Sequence, residues 1–267
     1  MKVITFDCSP RSECGRTVLI LAPFVGGMKD EGAEVQLFCT RDLRLMPPEG
    51  DFNRRPKTMG RRSGQDDAGM LLPKLQQADV WVFATPVYPH GMSVEMKNLL
   101  YRMTALFSPF LDVRDGRSQQ SLAEGTVPGK LVLIATCTAW EVDTFHPLLA
   151  QMDAYCAKSS RQFAGALLRP HSPALTWLID RGMPVADIFE AAYMAGRELA
   201  GLGQVSAETS EIVSRQLLPL DLYIQFLNER LQERLAAQAP QGGRPRPSKR
   251  ETKRKQEDQP TVALQRG

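Results

Sequence analysis

The chain has 267 residues, of which 43% are hydrophobic and 24% are charged. These proportions are typical of a folded globular protein, and the length is ample for a sizeable core. No run approaches the roughly 18 apolar residues of a membrane span, and residues 3–6 are too short for the apolar core of a secretory signal. We therefore expect a cytoplasmic protein without a membrane span.

The formal net charge of +3 is unevenly distributed along the chain. Residues 240–267 contain eight basic and three acidic residues, so the remainder is close to neutral. A nearly neutral folded body does not provide the basic surface of a general nucleic-acid-binding protein. We expect nucleic acid to be attracted only weakly, through the basic tail. The tail, residues 239–267, is rich in Pro, Gln and Gly and is predicted to be disordered.

The cysteines are odd in number and widely scattered, with no C-x-x-C pair. This spacing is atypical of a zinc site or a disulfide framework, and predicts reduced thiols that pack as small apolar side chains. The five are Cys8, Cys14, Cys39, Cys137 and Cys156.

Short apolar runs alternate with stretches of helical periodicity along the chain. This alternation predicts a three-layer α/β fold, in which helices cover both faces of a parallel sheet and ligands bind at the carboxyl ends of the strands. The predicted strands are residues 2–7, 33–39, 78–85, 130–136 and 162–168. The predicted helices include residues 17–30, 93–107, 141–157 and 185–202, with a further helix capped by Asp66 and Asp67.

Two segments do not fit the alternation. Residues 41–65 are rich in Pro, Gly and Arg and predict a long loop over the edge of the sheet. After Pro219, apolar residues recur every three or four positions and predict an amphipathic helix to about residue 236. The predicted organisation is therefore a domain over residues 1–218, a helix over 219–238 packed on the core or on a dimer partner, and the tail from 239.

The first loop, residues 8–17, joins a buried strand to a helix and contains three hydroxyl side chains, two arginines and a glycine. Backbone N–H groups at a helix N-terminus lack partners, and serine, threonine and arginine add further donors. The loop therefore predicts an anion site. The alternative is ordinary capping of the helix by Ser12 or Thr17.

The third strand ends in the sequence T-P-V-Y-P-H-G-M-S, residues 85–93, ahead of an amphipathic helix. Together with C-S-P-R at residues 8–11, this segment resembles the NADPH-dependent FMN reductase family and its iron-sulfur flavoprotein relatives. Further support comes from Gln65-Asp66-Asp67, from Gly129-Lys130 and from the A-A-Y-M-A-G-R-E-L segment at residues 191–199. The resemblance covers about residues 1–230.

The resemblance implies a flavodoxin-like fold with a five-stranded parallel sheet that binds FMN. It implies that the FMN phosphate lies on Ser9, Arg11, Arg16 and Thr17. It also implies that the isoalloxazine ring contacts Pro86, Val87, Tyr88, Gly91, Met92 and Ser93 on one side, and Thr136, Thr138, Ala139 and Trp140 on the other.

The sequence departs from the family pattern at several of these positions. Cys8 replaces a glycine, Arg16 replaces an asparagine, and Trp140 lies where glycines are usual and would stack on or crowd the flavin. The iron-sulfur relatives have a compact cysteine cluster after the second strand, where this chain has Cys39 alone. Because such a cluster takes about four cysteines, we predict no iron-sulfur cluster and no metal.

The resemblance implies an FMN-dependent NAD(P)H oxidoreductase that passes electrons to a small acceptor such as a quinone or a flavin, as a homodimer or homotetramer. Hydride transfer between NADPH or NADH and FMN needs no acid or base from the protein, so we name no catalytic residue. The arginines of residues 53–62 either attract the 2′-phosphate of NADPH or form a solvated charge cluster or a dimer contact. His90 either lies near the edge of the flavin or is simply a residue of the local turn.

Two other functions compete with this interpretation. A flavin-binding electron carrier or redox sensor would share the fold, since fold alone does not decide function. A phosphatase of the low-molecular-weight phosphotyrosine class is disfavoured, because its signature places five residues between cysteine and arginine whereas Cys8 and Arg16 enclose seven.

Overall fold

The computed structural model describes residues 1–10, 15–46, 66–89, 91–114 and 116–238. The predictions made for Arg11, Ser12, the arginines of residues 53–62, His90 and the basic tail lie outside these residues.

A five-stranded parallel sheet forms the centre of the protein. Its strand order is β2-β1-β3-β6-β7, and every neighbouring pair is parallel. The sheet confirms the fold class predicted from the sequence, with each predicted strand shifted by two residues or fewer. The seven strands are β1 (Lys2–Asp7), β2 (Glu34–Cys39), β3 (Val80–Pro86), β4 (Phe107–Arg114), β5 (Arg117–Leu122), β6 (Gly129–Thr136) and β7 (Arg161–Arg169).

Eight α-helices are present among the described residues, and short 3-10 turns precede or extend several of them. The helices are α1 (Arg16–Asp30), α2 (Ala68–Gln76), α3 (Val94–Arg102), α4 (His146–Ser159), α5 (Ser172–Ile179), α6 (Ala186–Leu202), α7 (Ala207–Ser214) and α8 (Leu220–Gln238). Helices α5 and α7 have eight residues each and were not predicted, since so short a segment carries little periodicity.

Alternate residues of the central strands pack into two separate cores. In β3, Val80 and Val82 face a core that also contains side chains of α1, α5 and α6. Trp81 and Phe83 face a second core shared with α2, α3 and α4. A central strand buried on both faces reads as a continuous apolar run, which is why this strand was evident from the sequence.

Helices α1 and α6 approach each other closely through two glycines. A Cβ atom on Gly27 would lie 1.9 Å from the Tyr193 carbonyl oxygen, and one on Gly196 would lie 2.0 Å from the Phe24 carbonyl oxygen. The two backbones are therefore too close for any side chain at either position. This contact fixes α1, whose N-terminus meets the carboxyl edge of the sheet.

An antiparallel hairpin of β4 and β5 interrupts the expected alternation after α3. The helix predicted to reach residue 107 ends at Arg102, continues as a 3-10 turn to Leu106, and gives way to β4 at Phe107. Phe110, Leu111 and Val113 in β4 are 67–83% exposed. The helical pattern reached residue 107 because Leu106 and Phe107 continue the apolar spacing of α3, whereas the apolar side chains further along β4 do not belong to the core.

Asp66 and Asp67 precede α2 with different roles from the predicted pair of caps. Asp67 occupies the N-cap position without a side-chain cap bond, whereas the Asp66 carboxylate accepts a hydrogen bond from the Ala68 N–H at 2.7 Å. Asp66 also forms a buried ion pair with Arg102 at 2.8 Å. The Asp67 carboxylate accepts instead from the Arg44 N–H.

The chain divides into two units, Met1–Tyr223 and a second that begins at Ile224. Of the second unit, residues 224–238 are described and continue α8, with Ile224, Leu231 and Leu235 half exposed or more. The amphipathic helix predicted after Pro219 is therefore present. None of the helices in the described part of the chain is long and apolar enough to cross a membrane.

The close contact of α1 with α6 predicts opposite effects on stability when two adjacent glycines are replaced by alanine. We expect Gly27→Ala to lower the free energy of unfolding by at least about 2 kcal/mol, because the new methyl group would force two backbones apart. Gly26→Ala is the matched control, since its Cβ would lie 3.8 Å from the Tyr193 ring and alanine favours helix by up to about 1 kcal/mol. Urea denaturation of both variants measures the difference, and equal stabilities would contradict the packing described.

Candidate functional site

The N-terminus of α1 points to an anion site at the end of β1. Gly15 occupies the N-cap position in an extended conformation, without a side-chain cap bond, and the first turn carries no acidic residue. Thr17 lies inside the helix, so the alternative in which Thr17 caps α1 is wrong. By contrast, Ser93 and Ser206 cap α3 and α7 through their hydroxyls. The start of α1 carries the partial positive charge of a helix N-terminus, which favours a negatively charged group.

Thr136 connects two of the predicted site loops. Its hydroxyl lies 2.9 Å from the hydroxyl of Thr17, and both side chains are buried. Its carbonyl oxygen accepts a hydrogen bond from the Val87 N–H at 2.8 Å. The end of β6 is therefore bound both to the start of α1 and to the loop that follows β3.

Ser93 connects the loop after β3 to the first loop. Its hydroxyl donates to the Cys8 carbonyl oxygen at 2.7 Å and accepts from the Met96 N–H at 3.2 Å. Its own N–H donates to the Thr85 hydroxyl at 3.0 Å. One buried side chain therefore caps α3 and fixes the separation between the ends of β1 and β3.

The segment after β3 forms a compact turn beside these connections. Tyr88 and Gly91 exchange two backbone hydrogen bonds, at 2.9 and 3.1 Å. Pro86 is buried at the end of β3, whereas Val87 and Met92 are half-buried and Tyr88 is 43% exposed. The turn presents apolar surface and backbone groups at the carboxyl edge, which suits contact with a planar ring.

Asp7 lies buried beneath the first loop. Its carboxylate accepts a hydrogen bond from the Ser9 N–H at 3.0 Å and pairs with the Arg41 guanidinium at 3.1 Å. Burial raises the pKa of Asp7, and the hydrogen bonds from Ser9 and Arg41 oppose that rise. Arg41 therefore offsets the negative charge of Asp7, which would otherwise oppose an anion at this loop.

Cys8 has the environment of a core side chain rather than of a nucleophile. It is fully buried, and burial raises the pKa of its thiol well above the ordinary value. Reactive cysteines require the opposite shift, toward the thiolate. The finding agrees with setting the phosphatase alternative aside.

The loop after β6 is held on one side by the start of α5. The Cys137 N–H donates to the Arg169 carbonyl oxygen, and the Cys137 carbonyl oxygen accepts from both the N–H and the hydroxyl of Ser172. The His171 N–H donates to the Ala139 carbonyl oxygen at 2.6 Å. Ala139 is half-buried and Thr138 exposed at the tip of this loop.

His171 lies at the centre of an aromatic cluster beside that loop. The Trp140 ring stacks on it with 6.3 Å between centroids, and the Tyr223 ring meets it edge-on at 5.7 Å. Its Nε2 accepts a hydrogen bond from the Leu217 N–H at 2.9 Å, so the hydrogen of the neutral ring is on Nδ1. Burial, together with the charge of Arg169, lowers the pKa of His171 to about 4.

The structure brings most of the predicted site residues to one edge of the sheet. The loops containing Ser9, Thr17, the segment 86–93 and Thr136 are joined directly by hydrogen bonds, and Thr138, Ala139 and Trp140 follow on β6. Arg16 begins α1 at the same edge, and Arg11 lies outside the described residues. Sequence reasoning missed His171 and Tyr223; the position of His171 directly after the last strand was the one available signal.

The strand order, with the N-terminus of α1 at the point where the order reverses between β1 and β3, defines a flavodoxin-like α/β protein. The model of the NADPH-dependent FMN reductase family matches residues 1–154. The chain belongs to this family.

Individual relatives agree with this family and fold. An iron-sulfur flavoprotein of Methanocaldococcus jannaschii is 33% identical over 106 residues, which are 40% of this chain and 53% of the relative. The chain thus spans about half the length of that curated relative. The solved structure of an FMN-dependent NADH-azoreductase from Bacillus anthracis in complex with FMN superposes with a TM-score of 0.53 at 11% sequence identity. The match covers 75% of this chain and 100% of the azoreductase chain. The structure of an NAD(P)H:quinone oxidoreductase from Methanothermobacter marburgensis has a TM-score of 0.51 at 13% sequence identity. This match covers 74% of this chain and 96% of the oxidoreductase chain.

The buried His171 predicts that stability rises with pH in a defined range. Its pKa is about 4 in the folded chain and near 6.5 when unfolded, so the unfolded state binds more protons between these values. Acidification from pH 7 to 4 should therefore cost about 3 kcal/mol through this group.

Urea denaturation at several pH values measures this dependence. His171→Gln should be less stable at pH 7 but should lose that part of the pH dependence. His146→Gln, at an exposed position, is the matched control and should keep it. An unchanged slope in His171→Gln would contradict the assignment.

Proposed function

We propose that the protein is an FMN-dependent NAD(P)H oxidoreductase that passes electrons to a small acceptor such as a quinone or a flavin. The observation that carries the proposal is the convergence of three loops, after β1, β3 and β6, at the carboxyl edge of the sheet in a chain of the FMN reductase family. In open α/β sheets, ligands bind at that edge.

The residues at the start of α1 fit the phosphate group of FMN. Gly15 at the N-cap position has no side chain, and the first turn of α1, which the structure describes from Arg16 onward, contains no acidic residue. Arg16 adds a cation there, and Arg41 neutralises Asp7 beneath the loop. We assign phosphate binding here to backbone N–H groups, Ser9, Arg16 and Thr17, with Arg11 added from the sequence. The Thr17 hydroxyl can accept a hydrogen bond from Thr136 and still donate its own hydrogen to the phosphate.

The flavin ring would lie between the turn after β3 and the loop after β6. Pro86, Val87 and the turn from Tyr88 to Ser93 would supply apolar contact, opposite residues 136–140. FMN held by these residues would supply the redox chemistry, taking hydride from the nicotinamide and passing electrons to the acceptor. The protein's part is to orient both ligands and to limit the access of water.

The class of acceptor is supported by similar structures. Two proteins of the same fold are named an azoreductase and a quinone oxidoreductase, and both names specify reduction of small conjugated molecules. We propose the same class of acceptor for this chain. We also propose a cytoplasmic homodimer or homotetramer, in which a partner covers the apolar side chains exposed on β4.

The visible absorption spectrum of the purified protein tests the proposal. We expect flavin bands, present on purification or after adding FMN and removing the excess, which bleach promptly with NADPH or NADH under anaerobic conditions and return when a quinone is added. Bands that resist both nicotinamides but bleach with dithionite would favour an electron carrier or sensor. Failure of the protein to retain FMN would overturn the proposal.

The phosphate assignment predicts a specific loss in Arg16→Ala. Removing one charge-assisted hydrogen bond to a phosphate should weaken FMN binding about tenfold. Arg197→Ala, which removes an arginine paired with Glu31 on the surface, is the matched control and should leave affinity unchanged. Quenching of flavin fluorescence measures both dissociation constants. Equal affinities for riboflavin and FMN in the parent protein would argue against any phosphate contact.

A further inference from the structure

The loop after β6 is held on two sides by residues that both follow the part of the chain matching the family model, residues 1–154. Cys137 and Ala139 are bonded to the start of α5. Thr138 and Trp140, which alternate with them, are bonded instead to the C-terminal strap, by which we mean residues 215–223. The Tyr223 hydroxyl donates to the Thr138 carbonyl oxygen, and the Trp140 indole N–H donates to the Leu218 carbonyl oxygen at 2.9 Å.

The C-terminal strap is itself fixed to the end of β7. Arg169 is fully buried and donates to the carbonyl oxygens of Val213 at 2.7 Å and Arg215 at 2.6 Å. The last carbonyl groups of a helix have no hydrogen-bond donors within the helix, and here the guanidinium supplies them. Its positive charge also interacts favourably with the negative end of the α7 dipole. Two residues further along, the Leu217 N–H donates to His171.

Tyr223 is the end of this series of contacts. Its side chain is 2% exposed, its ring packs against His171, and its hydroxyl donates to the Thr138 carbonyl oxygen. Tyr223 therefore joins the C-terminal strap and His171 to the tip of the loop after β6.

We propose that the C-terminal strap completes the flavin site, with Tyr223 as a positioning residue that holds residues 138–140 in the conformation that binds the ring. The inference rests on the proposed function, since it assigns this loop to the flavin. Without the contact to Thr138, the exposed tip of the loop would sample other conformations. FMN binding would then be weakened by the conformational entropy lost when the loop is ordered.

Tyr223→Phe tests the proposal, because it keeps the ring against His171 and removes one hydroxyl. We expect the dissociation constant for FMN to rise three- to tenfold and the absorption bands of bound flavin to shift toward those of free flavin. Tyr193→Phe is the matched control. It removes a phenol that donates to Asp30 at 2.9 Å on the surface of α1 and α6, and it should leave both quantities unchanged.

Thermal denaturation of the variants without flavin separates positioning from general stability. An unchanged dissociation constant and spectrum in Tyr223→Phe, whatever its melting temperature, would overturn the inference while leaving the proposed function intact. Failure of the parent protein to bind FMN would overturn both. If Tyr223→Phe does not fold, Trp140→Phe removes the other contact to the strap, and the same rise in the dissociation constant is expected; unchanged binding there would also refute the proposal.

Discussion

The site depends on the hydrogen bonds that Thr136 makes at the end of the central strand β6. Its hydroxyl meets Thr17 at 2.9 Å and its carbonyl oxygen accepts from Val87 at 2.8 Å, so one residue fixes the distances among three loops. These bonds require the parallel register of β3 with β6, in which Pro86 lies opposite Thr136. The close approach of α1 to α6 through Gly27 and Gly196 then fixes where the helix N-terminus meets that edge.

Polar groups around the site are satisfied largely by the protein itself. Asp7 forms an ion pair with Arg41, and the Arg169 guanidinium donates hydrogen bonds to the carbonyl oxygens at the end of α7. Since unpartnered buried charges are costly, these pairings compensate both charges within the fold. The α1 terminus and Arg16 bring positive charge to the same edge of the sheet. A phosphate-bearing aromatic cofactor matches that combination of one anion site with nearby apolar walls.

Prediction from sequence succeeded where local pattern and buried periodicity coincide. The five parallel strands, α1, α6 and α8 were all evident, because a strand covered on both faces is apolar throughout and a long helix repeats its apolar stripe. It failed for α5, α7 and the β4–β5 hairpin. Their segments are short, and the hairpin places Phe110 and Val113 in solvent, so apolar character there did not indicate the core.

The sequence by itself determined the fold class, the loops at the carboxyl edge and the family resemblance, because these depend on residues close together in the chain. Only the tertiary structure decided that Thr17 pairs with Thr136, that Asp7 pairs with Arg41, and that Trp140 turns toward His171 and the strap. Each of these contacts joins residues at least 31 positions apart. Such contacts are set by the packing of whole elements, which no local pattern specifies.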